Sequence, residues 1–216
     1  MSHPAGIIFD MAQFLTADEH FSHIRIVSFC GRPYHNVSEM DGDLVLRWNL
    51  TVGPDDEVWV LGDVAMGKLD ESLLYVGLLN GTKHLVIGNH DRPFRCEGTK
   101  YVHAIQPYLE AGFVDVFDRD AQITLQVGEF EVLASHFPYS EPPLGGREDK
   151  FASVRPTDHG MRLVHAHRHG KYRREGRMVD VGVDAWGGYP VSFDRVAELF
   201  ASSDEHVDPL PWEPVL

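Results

Sequence analysis

Five short apolar runs, each closed at once by residues able to bind a metal ion, constrain this chain more than any other feature. Gln13 to Ala17 leads into Asp18-Glu19-His20, and Glu57 to Leu61 leads into Gly62-Asp63. His84 to Ile87 leads into Gly88-Asn89-His90-Asp91, Glu131 to Ala134 into Ser135-His136, and Met161 to Val164 into His165-Ala166-His167-Arg168-His169. Runs of this length, bounded by Gly and polar residues, predict strands. In α/β sheets ligands bind beyond the carboxyl ends of the strands, so five such ends converge on one site. A single Asp or His after a strand is ordinarily a solvated loop group, but here that explanation must hold five times over. The i, i+2 spacing of Asp18 with His20, and of His167 with His169, places each pair on one face of an extended segment. Gly62 and Gly88 permit a sharp turn or a close backbone approach beside the ligands.

Between the strands the period becomes helical. Met40 to Leu50 carries Leu44, Val45, Leu46 and Trp48, and Lys68 to Leu79 carries Leu69, Leu73, Leu74 and Leu78 before Asn80-Gly81 ends it. From Phe113 onward, Val114-Val116, Ile123-Leu125-Val127 and Phe130-Val132, joined by polar turns, predict antiparallel strands of a second sheet. The 216 residues, 43% of them hydrophobic, suffice for one domain with a substantial core, and the alternation predicts a layered α/β domain over 1–216. Residues 138–160 hold four of the thirteen prolines and Gly145-Gly146, and predict a long surface loop. The acidic, Pro-rich residues 204–216 predict an irregular tail with Trp212 as its anchor. Trp48, Trp59 and Trp186 are expected to pack in the core or at its rim.

A formal net charge of -14 argues against a protein that wraps nucleic acid through a basic face. An anionic substrate would then need local help, which metal ions can supply. Cys30 and Cys96 lie far apart with no paired spacing, which indicates neither a disulfide framework nor a thiolate zinc site and points to a reducing cytoplasm. The short run Ile7-Ile8-Phe9 is cut off by Asp10 and lacks the features of a signal peptide. No stretch approaches the ~18 continuous apolar residues of a membrane helix.

Taken in order, D-x-H, G-D, G-N-H-D, H and (G/A)-H-x-H, the motifs from Asp18 to His169 resemble the calcineurin-like metallophosphoesterase superfamily. Asp18-Glu19-His20-Phe21-Ser22-His23, Phe29-Cys30-Gly31-Arg32-Pro33, Trp48-Asn49 and Leu61-Gly62-Asp63 are similar in particular to its short, uncapped bacterial and phage members. The resemblance implies a four-layer α/β/β/α sandwich with two mixed sheets and the metal site at the strand C-terminal ends. It implies one metal held by Asp18, His20 and His169, a second held by Asn89, His136 and His167, and Asp63 bridging the two. His90, left free of metal, then acts on the leaving group, and its neighbour Asp91 is expected to orient it. Ala166 stands where the family usually has Gly, an added methyl that removes no ligand. Two ions about 3.5–4 Å apart clamp phosphate oxygens and activate a bridging water. Carboxylate, amide and imidazole donors suit Mn, Fe, Zn or Ni, with manganese first on family grounds. A histidine, whose ordinary pKa is about 6.5, can give the leaving oxygen its proton near neutral pH.

The activity expected is hydrolysis of a small phosphodiester or nucleotide, cyclic nucleotides of the 2′,3′ type included, with no extended nucleic-acid surface and no membrane partner. A phosphomonoesterase or protein phosphatase shares the same metal residues, and a catalytically silent metal-binding scaffold is the alternative outside enzymes. The H-x-H-x-D-H run of metallo-β-lactamase-like hydrolases is absent. The expected location is the cytoplasm, a host's if the chain is phage-encoded. His23 either approaches the phosphate or makes a structural hydrogen bond. His165 alternates with His167 and His169 and is expected to support the ligands by a hydrogen bond. Arg92 and Arg168, with Lys150 and Arg155 from the long loop, are candidates to contact substrate phosphate.

Overall fold

A computed structural model of the protein describes residues 11–121, 123–140 and 149–213. The run from Ile7 to Asp10, the part of the long loop with Gly145-Gly146, and the last three residues of the tail lie outside the described residues. The first half of the chain runs β1 (Gln13–Thr16), α1 (Ile26–Cys30), α2 (Val37–Thr51), β2 (Glu57–Val60), α3 (Leu69–Ser72), a 3-10 turn (Leu73–Leu78) and β3 (Thr82–Val86). A second 3-10 turn (Arg92–Arg95) follows, then α4 (Thr99–Glu110) and β4 (Phe113–Phe117). The remainder runs β5 (Ile123–Val127), β6 (Phe130–Ala134), β7 (Arg162–His165), β8 (Arg174–Glu175), β9 (Met178–Asp180), β10 (Val191–Ser192), α5 (Phe193–Ala201) and β11 (His206–Val207).

Two mixed sheets result, in the orders β10-β1-β2-β3-β4 and β11-β8-β9-β7-β6-β5. In the first, β1 to β4 are parallel, so their carboxyl ends share one edge. In the second, β6, β7 and β9 are parallel and the rest antiparallel. Alternation along the strands explains the layering. Phe14, Val58, Val60 and Leu85 join Leu44 and Trp48 of α2 and Tyr108 of α4 in one core. Their neighbours Leu15, Leu61 and Val86 join Val132, Ala134, Val164 and Val179 in a second core between the sheets. The first sheet is thus covered on both faces, the condition under which parallel sheets form. Helix α5 packs against β5 of one sheet and β1 and β10 of the other, so it does not form a separate outer layer of the expected kind. No helix among the described residues is long and apolar enough to cross a membrane.

Three expectations are corrected. Val114-Val116 belongs to β4, which pairs in parallel with β3 in the first sheet and not antiparallel in the second. The intervening helix α4 supplies the crossover that parallel pairing needs, and Pro107 inside it masked its helical period. Residues 68–79 form one α turn and then a 3-10 turn, because the buried side chains Leu73, Val76 and Leu79 recur every three residues. The tail is less irregular than expected: β11 pairs with β8, and Trp212 packs against Tyr34 and Arg47. Trp48 and Trp186 are buried with their indole N–H groups donating to Asn80 O and Asp180 O. Trp59 stacks on His84.

Candidate metal centre

The ladder of the first sheet continues past the strands into the ligand loops. Asp18 N donates to Gly62 O at 3.0 Å, His20 N to Asp63 O at 3.0 Å and Phe21 N to Val64 O at 2.9 Å. Across the second sheet Ser135 N donates to Val164 O and Ala166 N to His136 O, both at 3.1 Å. The ligand loops are therefore braced to one another through the backbone. Asp18 (φ 61°), His20 (53°), Asp63 (57°), His167 (73°) and His169 (50°) all adopt left-handed backbone. This corrects the argument from extended segments: the i, i+2 pairs converge because the chain turns at each ligand. Such residues cost about 1 kcal/mol or more each, and strain concentrated in this way marks functional loops. Glycine is required alongside. A Cβ on Gly88 would stand 2.3 Å from Asp63 Oδ1, and one on Gly62 would stand 2.3 Å from Gly88 N.

These loops bring all seven expected metal ligands together. Donor atoms of Asp18, His20 and His169 lie within 4.8 Å of one another, as do those of Asp18, Asp63 and His136. Asp63 Oδ1 accepts the His90 N–H at 2.7 Å, while Oδ2 stands 3.6 Å from His20 Nε2 and 3.5 Å from His136 Nε2. Ligands held about 2.0–2.2 Å from one ion stand about 3–3.6 Å apart, so these separations suit shared coordination. His136 Nε2 is 3.2 Å from Asn89 Oδ1, and the His136 and His167 rings are 5.2 Å apart. His136 Nδ1 donates to Leu61 O at 2.7 Å and His169 Nδ1 to Asp184 Oδ2 at 2.9 Å, which leaves each Nε2 with its lone pair for a metal.

A divalent cation fits this donor set. Asp18 Oδ1 and both nitrogens of His20 are buried with no hydrogen-bond partner among the described residues, and each unmet polar group costs about 1–3 kcal/mol. The electrostatics point the same way. Burial and then the Asp18 carboxylate hold Asp63 well above the usual carboxylate range. Burial and then His169 push His20 well below the imidazole range. Burial would also lower His169, but Asp18 and Asp184 outweigh it and raise that group to about 11. Without an ion, the carboxylates around His169 favour its charged form, and a bound cation would supply that positive charge in its place.

His90 lies exposed at the rim, its ring 5.2 Å from that of His20 and 6.1 Å from that of His23. Burial of its inner edge, with His23 and His136 nearby, lowers it to about 4. Asp91 does not do what adjacency suggested. Its buried carboxylate accepts from Asp63 N (2.9 Å), Val64 N (3.1 Å), Gly88 N (2.8 Å) and the Tyr108 hydroxyl (3.4 Å). Asp91 therefore fixes two ligand loops against each other rather than orienting the His90 ring. His23 Nδ1 is buried without a partner among the described residues, so that nitrogen makes no structural hydrogen bond there. His165 bonds its neighbour's carbonyl, Ala166 O at 2.9 Å, and not a metal ligand. Arg168 lies over the Tyr172 ring and bonds Tyr172 and Glu175, so it is committed away from the role expected of it. Arg155 pairs with Asp149 and donates to Pro138 O, Lys150 lies over Phe151, and Arg92 shares a groove with His90.

The sequence reading missed the support beneath the ligands. Buried Arg32 donates to both oxygens of Asp184 at 2.8 Å, to Asp18 O at 2.6 Å and to Glu19 O at 2.9 Å. Asp184 passes this on to His169, so one guanidinium ties the loop after β1 to the loop after β7. The signal was present: the run from Met178 to Val183 is a sixth apolar segment closed by a carboxylate. Asp180, fully buried beside Asp18, was missed for the same reason.

Fold and site together define a two-sheet α/β protein whose strand ends converge on a buried carboxylate–imidazole cluster able to hold metal. By sequence the chain belongs to the family of the Gene 66 protein of Mycobacterium phage L5, with which it is 32% identical over 195 residues, 86% of this chain and 92% of that protein. The protein MJ1445 of Methanocaldococcus jannaschii is 38% identical over 188 residues, 86% of this chain and 89% of that one. Comparison with protein-family profiles gives no match. Protein AQ665 from Aquifex aeolicus shares the fold, with a TM-score of 0.65 and 21% identity over 88% of this chain and 100% of that chain.

Proposed function

We propose that the protein is a metal-dependent phosphoester hydrolase of the calcineurin-like metallophosphoesterase kind, acting on small phosphodiesters such as nucleotides, cyclic nucleotides included. The observation that carries this reading is the place of Asp63. One carboxylate stands 3.6 Å from His20 Nε2, whose group includes Asp18 and His169, and 3.5 Å from His136 Nε2, which lies 3.2 Å from Asn89 Oδ1 with its ring 5.2 Å from that of His167. Asp18, His20 and His169 would hold one ion, Asn89, His136 and His167 the other, with Asp63 common to both. When bound, the ions, manganese first and Fe, Zn or Ni as alternatives, would polarise the phosphate oxygens and supply an activated water.

The chain's own work is positioning and proton transfer. Arg32 and Asp184 hold His169, Asp91 holds the loops of Asp63 and Gly88, and His23 offers an unpaired nitrogen beside the cluster. His90 gives a proton to the leaving oxygen. Its pKa of about 4 belongs to the cluster free of metal and substrate; an anionic phosphate beside it would favour the charged imidazole, against the opposing charge of the bound cations. The net charge of -14 favours a small substrate over a polymeric nucleic acid. Phage relatives and two free thiols fit a reducing cytoplasm as the place of work. The test is hydrolysis of an aryl phosphodiester and the matching monoester by metal-stripped and refilled protein. Preference for the monoester would move the reading to a phosphomonoesterase, and cleavage of neither would move it to a binding scaffold.

A further inference from the structure

His90 opens onto a groove of about 500 Å³ whose walls include Met66, Lys68, Asp70 and Arg92. The groove continues over Leu69, Asp70 and Arg92 into a second hollow of about 480 Å³ walled by Leu73, Leu74 and Pro107. Either volume accommodates a moiety of nucleoside size. The cations in it differ from those elsewhere around the site. Arg32, Arg155 and Arg168 are each committed to a carboxylate. The Arg92 guanidinium makes no hydrogen bond or ion pair among the described residues, although its backbone N–H is anchored on the Tyr108 hydroxyl at 3.1 Å. Among the described residues Lys68 pairs only with Glu71, with side chains 75% and 66% exposed, an arrangement that holds the ammonium weakly. Asp70 lies where the two hollows meet, an acceptor suited to hydroxyl groups.

We infer that this groove receives the leaving half of the substrate and that this half carries a second anionic group, phosphate or carboxylate, which Arg92 grips. The inference rests on the hydrolase reading above and narrows it to phosphodiesters with a charged leaving group. His90 stands at the mouth of the groove, so the group it protonates departs into it. In the step itself the water oxygen bonds to phosphorus as the bond to the leaving oxygen breaks. The His90 proton goes to that oxygen, the proton given up by the attacking water restores His90 through solvent, and the products are a phosphomonoester and an alcohol bearing the second anion. A guanidinium fork matches phosphate or carboxylate with two parallel bonds, whereas an aryl ring without charge gives it nothing to bind.

The test compares bis(4-nitrophenyl) phosphate with bis(4-carboxyphenyl) phosphate for wild type, Arg92→Ala and Arg92→Lys, all metal-loaded. Taking each variant relative to wild type on the same ester cancels the difference in leaving-group reactivity. Arg92→Ala is expected to raise KM for the carboxylated ester at least tenfold more than for the nitrophenyl ester, with Arg92→Lys intermediate. Equal effects on both esters would overturn the inference while leaving the hydrolase reading intact. Equilibrium binding of adenosine 3′,5′-bisphosphate and of adenosine 5′-monophosphate covers the case in which neither ester is cleaved, which counts against the hydrolase reading. Wild type is expected to prefer the bisphosphate at least tenfold and Arg92→Ala to lose that preference; an unchanged ratio in the variant would sink the groove assignment.

Discussion

Replacing Asp184 with Asn tests the support beneath the site. Asp184 takes 2.8 Å bonds from Arg32 Nε and Nη2 and a 2.9 Å bond from His169 Nδ1, with the Arg32 side chain fully buried. Asn keeps the size but removes the charge and turns one acceptor into a donor, which leaves a buried guanidinium without its counter-charge. Breaking one partner of such a pair costs about 3–5 kcal/mol. In a domain of this length about 1 kcal/mol moves Tm by about 2–4 °C, so a fall of about 6–20 °C is expected. The His169 ring is also freed to change tautomer, which should weaken metal binding about 10–100-fold. Burial alone would raise the Asp184 pKa, but the Arg32 charge and the bonds from His169 and Arg32 bring it to about 2, below its ordinary 3.8. A depressed carboxylate contributes stability that is present above its unfolded value and lost as pH falls through the folded one. Wild type should therefore lose this contribution between 3.8 and about 2, an acid limb missing from Asp184→Asn. Denaturant unfolding of metal-free protein and a chelator competition read the two effects. A variant destabilised by less than about 1 kcal/mol at neutral pH, with unchanged metal affinity, would refute the reasoning.

Gly88→Ala should displace the Asp63 carboxylate, which its Cβ would meet at 2.3 Å, and metal content by mass spectrometry should fall, as is also expected of Asp63→Ala. His90→Ala, by contrast, should keep its metal and lose turnover by about 10²–10⁴-fold on a poor leaving group; full turnover there would remove the acid assignment. Glu19 is raised from 4.5 to about 7, chiefly by burial, so the folded chain keeps a proton that the unfolded chain releases, and its contribution is lost as pH rises through that window. Glu19→Gln retains the Thr16 bond and should make metal-free protein about 3 kcal/mol more stable than wild type above that window, read by unfolding across pH. A wild-type-like pH profile for the variant would show that Glu19 does not titrate there.

The site was more legible in the sequence than the fold around it. The candidate ligands Asp18, Asn89 and His136 follow apolar runs within two residues, and the two sheets bring those strand ends together. What failed was reasoning from local geometry. Asp18, His20, His167 and His169 sit in left-handed turns that no strand period announces. Asp91 points its carboxylate at the backbone of residues 63, 64 and 88, a choice made by long-range packing rather than by its neighbour His90. Arg168 stood amid ligands in sequence and yet reaches Tyr172 and Glu175. Arg32 and Asp184, 152 positions apart, meet only once both sheets are assembled, so no window along the chain shows their bond. The parallel placement of β4 was hidden by Pro107 in the helix that precedes it.

The proposed shared metal cluster and the phosphodiester hydrolysis proposed for it are open to one joint test. The most direct measurement strips the protein of metal, refills it with manganese, and follows bound metal and cleavage of bis(4-nitrophenyl) phosphate and 4-nitrophenyl phosphate together, with Asp63→Ala in parallel. About two ions per chain, metal-dependent cleavage that prefers the diester, and loss of both in Asp63→Ala are predicted. Protein that binds its metal and cleaves neither ester would contradict the account.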